Sequence, residues 1–352
     1  MTYGTVQANA IQGSINSFSP NSAVFRNRII NGAMVIDQRN AGASVTPSGD
    51  TYTVDRWKYE ASQASKFTIG QNRGSFALPA GFTNYLGYLT ASAVTVGATD
   101  FFLHEQYIEG FNIADLDWGT ANAKTVTLSF WVRSSLTGTF GGNLQNSANN
   151  RFYPFSYTIS SANTWEQKTV TIAGDTSGTW LTNNGIGITL RFSLGTGSTY
   201  LGTAGSWGAT TYIGVTGQTN VVGTLNATWS ITGVQLEVGS TATSFDYRPY
   251  GTELALCQRY YEETKNVGSY EFGIQAITNG LNSARFAVRK RASPTVTVYS
   301  SNTGVADTVN NGNGNVQTSI SGVAAYPDCF AIQMAGTTSQ MYTYSWQAVA
   351  EL

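Results

Sequence analysis

The single histidine, His104, lies in Phe101-Phe102-Leu103-His104-Glu105-Gln106. A Ser-His-Asp device would need it as its base, and no Gly-x-Ser-x-Gly turn accompanies it. With one His and two Cys, metal sites built on those ligands are excluded by number. Paired carboxyl groups remain. Glycoside hydrolysis uses two of them, set roughly 5–10 Å apart. Asp115 and Asp117 beside Trp118 are one such pair, and Asp55 with Glu60 is another. Gly195-Thr196-Gly197-Ser198 and Gly202-Thr203-Ala204-Gly205 resemble phosphate loops only in glycine content, because no Lys follows in the required place.

Aromatic side chains offer a second chemistry. Sugar rings present C–H faces that stack on Trp and Tyr, and hydroxyls that pair with Asn, Asp, Gln and Arg. Trp180, Tyr200 and Trp207 stand in Gly/Ser/Thr-rich stretches between strand-like segments. Tyr326, Asp328 and Trp346, with Tyr342, Tyr344, Asn311 and Asn313, form a second candidate group. Each ring has a competing role in packing. Tyr342, Tyr344 and Trp346 alternate strictly, which is how one buried face of a strand reads.

The elements that must carry these residues are strands. Thr125 to Arg133 alternates, with Val126, Leu128, Phe130 and Val132 on one face. Further strands are expected at Tyr52 to Tyr59, Lys66 to Gln71, Tyr85 to Ala91, Trp165 to Ile172, Gly187 to Leu194 and Thr228 to Glu237. Short strands with turn-rich gaps predict a β-sandwich. His104 to Leu116 reads either as a helical turn or as a strand end. Leu254, Cys257, Tyr260 and Tyr261 fall on one helical face, so Thr252 to Glu263 predicts a helix with Thr252 as its N-cap. Strands return at Ser283 to Val288, Thr295 to Tyr299, Val316 to Ser321, Cys329 to Met334 and Met341 to Ala348. Three parts follow: an N-terminal docking arm at residues 1–28, a sandwich at 29–250, and a helix plus smaller C-terminal β-sandwich at 251–352.

Composition narrows the function classes. The chain has 352 residues, a net charge of −1 and only 11% charged residues, against about 25% in ordinary soluble domains. Gly, Ser, Thr and Asn replace the missing charge, as in extracellular and virion β-proteins. There is no basic excess and so no footprint for nucleic acid; Arg289-Lys290-Arg291 is too short to change that. No run of apolar residues reaches membrane-spanning length. Met1-Thr2-Tyr3-Gly4 opens no basic and apolar leader, so no export signal is expected. Cys257 and Cys329 lack framework spacing and are expected reduced and packed.

Several segments together resemble a known family. Arg28-Ile29-Ile30-Asn31-Gly32-Ala33-Met34 with Asp37-Gln38-Arg39, then Tyr52-Thr53-Val54-Asp55-Arg56-Trp57, resembles the opening of a tailed-bacteriophage tail-fibre domain. Gly233-Val234-Gln235-Leu236-Glu237-Val238-Gly239 and Thr243-Ser244-Phe245-Asp246-Tyr247-Arg248-Pro249 resemble its close, and Cys257-Gln258-Arg259-Tyr260-Tyr261 the linker helix after it. The first domain is also similar to carbohydrate-binding jelly rolls, which often hold structural calcium. The places where their acidic ligands stand are Ala33 and Gly233 here, leaving Asp37, Asp55 and Glu237, so no metal or other cofactor is expected.

The resemblance implies an all-β virion protein: a tail-fibre or appendage subunit, homotrimeric, assembled in the host cytoplasm and released by lysis. Its arm would dock to other virion proteins and its far end would bind host surface polysaccharide without catalysis. A capsid decoration or adaptor protein, and a glycan-degrading tailspike-like enzyme, are the alternatives. The chain is expected to be a trimer in solution, and light scattering that returns a monomer at micromolar concentration would overturn that expectation.

Overall fold

In the strand 126–134, Val126, Leu128, Phe130 and Val132 are fully buried, because strand geometry turns alternate side chains to one face. The same pattern in 186–196 buries Ile188, Leu190, Phe192 and Leu194. Phe130 and Phe192 meet edge to face at 5.0 Å, one from each of two stacked sheets. The structure, a computed structural model, describes residues 26–264, 275–276, 281–311, 316–334 and 340–352. Most of the arm expected at 1–28 thus lies outside the described residues.

Among the described residues, two antiparallel sheets form a jelly-roll β-sandwich. The larger runs in the order β1 (Thr51–Tyr52), β2 (Lys58–Ala61), β5 (Phe101–Glu109), β10 (Ile186–Thr196), β7 (Gly138–Gln145), β8 (Phe152–Ile159). The smaller runs β3 (Phe67–Gln71), β4 (Leu86–Thr90), β13 (Thr228–Val238), β6 (Val126–Ser134), β9 (Glu166–Ile172). A short parallel pair, β11 (Leu201–Gly202) and β12 (Gly214–Val215), lies in the connection after β10. Rings from both sheets fill the core: Trp57 stacks on His104 at 4.4 Å, and Trp229 meets His104, Tyr88 and Phe192 within 6 Å.

The two ends of this sandwich are stitched together. Asn27 Nδ2 donates to Val234 O, while Asn27 Oδ1 accepts from Leu236 N. Asn31 adopts φ 57° and its side chain ties Ile36 to the Asp55 carbonyl. Gly32 must be glycine, since a Cβ there would lie 2.1 Å from Val234 O. Arg248 donates to the carbonyls of Asn27 and Ile29. The segments that resemble a family's opening and close are therefore hydrogen-bonded neighbours.

A short helix follows, α1 (Tyr250–Gln258). It is shorter than Thr252 to Glu263, and Pro249, not Thr252, stands at its N-cap. Tyr260 and Tyr261 remain buried but lie beyond the helix, and Tyr261 begins a strand, β14 (Tyr261–Glu263). A smaller β-unit then builds from β15 (Gln275–Ala276), β16 (Leu281–Arg285), β17 (Thr295–Ser300), β18 (Thr308–Asn311), β19 (Val316–Ala325), β20 (Cys329–Met334) and β21 (Gln340–Val349). Strand β21 pairs with β14, β15, β17 and β18. Phe286, Phe330 and Trp346 pack together in this unit's core. Cys257 is buried and Cys329 half-buried, and both are free thiols.

Glu351 joins the two parts. It is nearly buried and takes Arg39 at 3.0 Å on one oxygen and Arg56 on the other. Leu352 packs beside Ile30, Ile36, Cys257 and Tyr260. Removing one member of a buried charge set strands the rest. Glu351→Ala is expected to lower unfolding stability by about 3–5 kcal/mol in denaturant titrations; a loss within experimental error would show that the ion pairs hold nothing together.

Candidate functional site

The outer face of the larger sheet carries a row of charge in a chain otherwise poor in it. Period-2 geometry puts Lys58 and Glu60 of β2 on one side and Glu105 and Tyr107 of β5 on the same side. The register aligns Lys58 with Glu105, Glu105 with Arg191 of β10, and Arg191 with Asn143 of β7. Arg191 Nε donates to Glu105 Oε2 at 2.7 Å and Tyr107 OH to Glu105 Oε1 at 2.7 Å. Lys58 Nζ lies 3.0 Å from Asp50, 3.4 Å from Glu105 and 3.7 Å from Glu60. Arg191 and Asn143 both donate to the Gln145 side-chain oxygen. Asn143 is fully buried and its Oδ1 accepts no hydrogen bond among the described residues.

Glu60 and Glu105 both stand beside Lys58 and Arg191 and have opposite tendencies. Burial, followed by the neighbouring Glu105 charge, pushes Glu60 up to about 7. Burial also opposes ionisation of Glu105, but the Arg191 and Lys58 charges outweigh it and hold that carboxyl below its ordinary value. On the other face of β5, burial drives His104 down to about 3, and its Nδ1 meets Tyr88 OH at 2.8 Å. A histidine held neutral between Trp57 and Trp229 is a core residue, not a base.

The row leads into a cleft. Tyr52 of β1 pairs with Lys58, and from there a cavity of about 560 Å³ opens between the sandwich and the smaller β-unit. Arg39, Asp50 and Tyr52 line it from one side and Tyr261, Glu263 and Gln347 from the other. The Arg39 guanidinium lies 3.6 Å over the Tyr261 ring and 4.9 Å over Tyr52. It also lies 3.4 Å from Asp55 and 3.0 Å from Glu351. Tyr261 OH donates to Glu263 at 2.6 Å. The walls combine ring faces with planar hydrogen-bonding groups, the combination that binds polyhydroxylated ligands.

The residues singled out from sequence are dispersed. Trp180 and Trp207 form a mutually perpendicular cluster with Trp118, at 4.7–5.3 Å. Their indole N–H groups are satisfied by the Ser177 and Ala173 carbonyls. Trp180 is nearly buried and Trp207 half-buried, so the trio closes one end of the sandwich core. Tyr200 is half-buried against Phe101. Tyr326 and Asp328 are both exposed on the turn between β19 and β20, where Arg289 pairs with Asp328. Trp346, Tyr342 and Tyr344 sit in the core of the smaller unit. The side chains of Asn311 and Asn313 lie outside the described residues.

Each member of the two sequence-derived carboxylate pairs has a partner elsewhere in the chain. Asp115 holds Arg28 at 2.5 Å and Asp117 holds Lys124 at 3.3 Å. Asp55 is buried against Gln38 and Arg39, while Glu60 stands beside Lys58 and Arg191. The three acidic residues considered for calcium are occupied by the chain itself. Asp37 accepts from the Asn40 and Gly42 amides, Asp55 from Gln38, and Glu237 from Thr243 and Gln235. Among the described residues no group of three or more His, Cys, Asp or Glu is placed to hold a metal. The Arg289-Lys290-Arg291 run is also engaged: Lys290 is buried on Glu262, and Arg291 binds the carbonyls of Ala350 and Glu351.

No family model matches the chain, and no curated protein matches it. Among solved structures it is similar to the enzymatically active domain of tailspike protein 4 of bacteriophage CBA120, at 12% identity and TM-score 0.32. That alignment covers 60% of this chain and 21% of the tailspike chain. It is also similar to the family 11 carbohydrate-binding module of a Clostridium thermocellum cellulosomal cellulase, at 10% identity and TM-score 0.27, covering 58% of this chain and 99% of the module. A third is TmCBM61, solved with beta-1,4-galactotriose, at 10% identity and TM-score 0.30, covering 61% and 99%.

Glu60 and His104 give opposite pH dependences. The native pKa of Glu60 is raised from 4.5 to about 7, so its contribution is complete below pH 4.5 and is lost as pH rises through 7. The native pKa of His104 is lowered from 6.5 to about 3, so its contribution is complete above pH 6.5 and is lost as pH falls toward 3. Each amounts to about 2 kcal/mol between roughly pH 5 and pH 7, with opposite sign. Glu60→Gln is therefore expected to lose stability on acidification relative to the native chain, and His104→Gln to gain it. Denaturation midpoints at the two pH values check this; a Glu60→Gln profile parallel to the native one would refute the upward shift of Glu60.

Proposed function

We propose that this protein is a glycan-binding structural subunit of a tailed-bacteriophage particle, a tail fibre or similar appendage, and that it binds without cleaving. The observation that carries the binding role is the cleft of about 560 Å³ walled by Tyr52, Tyr261 and planar polar groups. A sugar laid there can stack a C–H face on the half-buried Tyr52 ring and pair its hydroxyls with the Gln347 amide and the Asp50 carboxylate. The candidate carboxyls Asp55 and Glu105 are buried, Asp55 on Gln38 and Arg39 and Glu105 beneath Arg191 and Lys58, which argues against their reaching a glycosidic bond.

The particle assignment rests on the sequence segments that open and close the sandwich, and on a surface kept in solution by amides and hydroxyls. A homotrimer docked through residues 1–28 places several clefts on one appendage. Avidity can then raise a weak single-site affinity about 10²–10⁴-fold, so a shallow cleft suffices for attachment.

The test uses the full chain against a panel of purified bacterial surface polysaccharides. Binding to at least one member is expected, weakened about tenfold or more by Tyr52→Ala or Gln347→Ala, with the fold of each variant checked by circular dichroism. Absence of binding across the panel, or binding that neither variant changes, would overturn the assignment of the cleft.

A further inference from the structure

The cleft also carries a sign of charge, which sets the class of sugar it can hold; this inference rests on the glycan-binding reading above. Arg39 is the one cation among the described lining residues. Its charge is already engaged, with one terminal nitrogen near Asp55 and the other near Glu351, and its flat face lies on Tyr261. Lys58, just beyond the rim, is shared among Asp50, Glu60 and Glu105. Asp50 is more open. The Asp50 side chain is 51% exposed, with Lys58 on one of its oxygens. Glu263 stands on the opposite wall and accepts from Tyr261 OH. Asn40 and Gln347 complete the polar lining as neutral amides.

We infer that the cleft accepts uncharged or amine-bearing glycans and rejects acidic ones, those rich in uronic acids, sialic acids or phosphate. A glycan carboxylate placed there would face Asp50 and Glu263 with each nearby cation already bound to protein carboxylates. Like charges brought together at a binding surface oppose association, and desolvation increases the penalty. A hydroxyl or an ammonium meets the same carboxylates as acceptors.

The experiment couples the full chain to beads and measures its binding, at low ionic strength, to oligomers of glucose, galactose, N-acetylglucosamine and glucosamine, and to oligomers of mannuronic and galacturonic acid. The neutral or amino-sugar oligomers that bind are expected to do so at least about tenfold more tightly than the uronic acid oligomers. Asp50→Asn is expected to narrow that gap, as is added salt. Asp50 lies at the surface, so the substitution leaves the core untouched; Asp50→Asn with Glu263→Gln extends the series. Uronic acid oligomers that bind as well as or better than the others would overturn the inference while leaving glycan binding intact. A gap unchanged by both variants would overturn its electrostatic origin. Binding of none of the oligomers would remove the glycan-binding reading and this inference with it.

Discussion

Glu351 is the residue on which the arrangement of the two parts depends. A carboxylate taken out of water must be met by cations placed in advance, since an unpaired buried charge costs several kcal/mol. Arg39 and Arg56 supply them. Neither arginine floats: Arg56 lies 3.6 Å over Tyr260 and donates to the Tyr107 carbonyl, and Arg39 lies over Tyr261. Arg291 holds the backbone on the other side through the Ala350 and Glu351 carbonyls. One carboxylate therefore fixes two guanidiniums, these fix three tyrosine rings, and two of those rings border the cleft.

The rarity of charge makes this economy legible. With 19 Lys and Arg against 20 Asp and Glu in 352 residues, few ion pairs are available for solubility alone. Many are instead placed where they order something: Arg259 on Glu109 beside Tyr260, Lys290 on Glu262, Arg151 on Asp175 under the tryptophan cluster. The charged row on the larger sheet follows the same rule. Its cross-strand pairs lie in register, so each charge is held by strand pairing and by its neighbour, and rotamer freedom that a surface ion pair would retain is already lost.

How far the sequence announced this fold varied with what each strand faces. Strands β6, β10 and β13, each with an apolar face toward the core, appear near their expected bounds because alternation is a direct record of one-sided burial. Strands β7 and β8 gave no such record. In β7, Gly141 and Gly142 stand where a Cβ would strike neighbouring atoms, so glycine is a packing requirement there and not a turn. In β8, Pro154 is tolerated because the strand is the edge of its sheet, where a missing N–H breaks no ladder. His104 to Leu116 divides between the two readings: β5 continues to Glu109, and two short 3-10 turns follow. The row across the sheet was half visible. Lys58 with Glu60 and Glu105 with Tyr107 are spaced i, i+2, but which strand lies beside which is set by topology, and a pairing 47 residues apart leaves no local signature. The cleft was less visible still, since its walls come from segments more than 200 residues apart.

That separation bears on how the cleft can bind. Its two walls are held by the Glu351 cluster, so the rings and amides stand in place before any ligand arrives, and little side-chain entropy remains to be lost on binding. Sugars offer little apolar area, and each hydroxyl bound to protein gives up a bond to water, so the net gain per contact is about 1 kcal/mol. With so little available from each contact, the entropy not lost decides whether association is measurable at all. A cleft whose rings are fixed in advance is thus suited to weak individual contacts, and its open Asp50 carboxylate biases those contacts toward hydroxyls and ammonium groups.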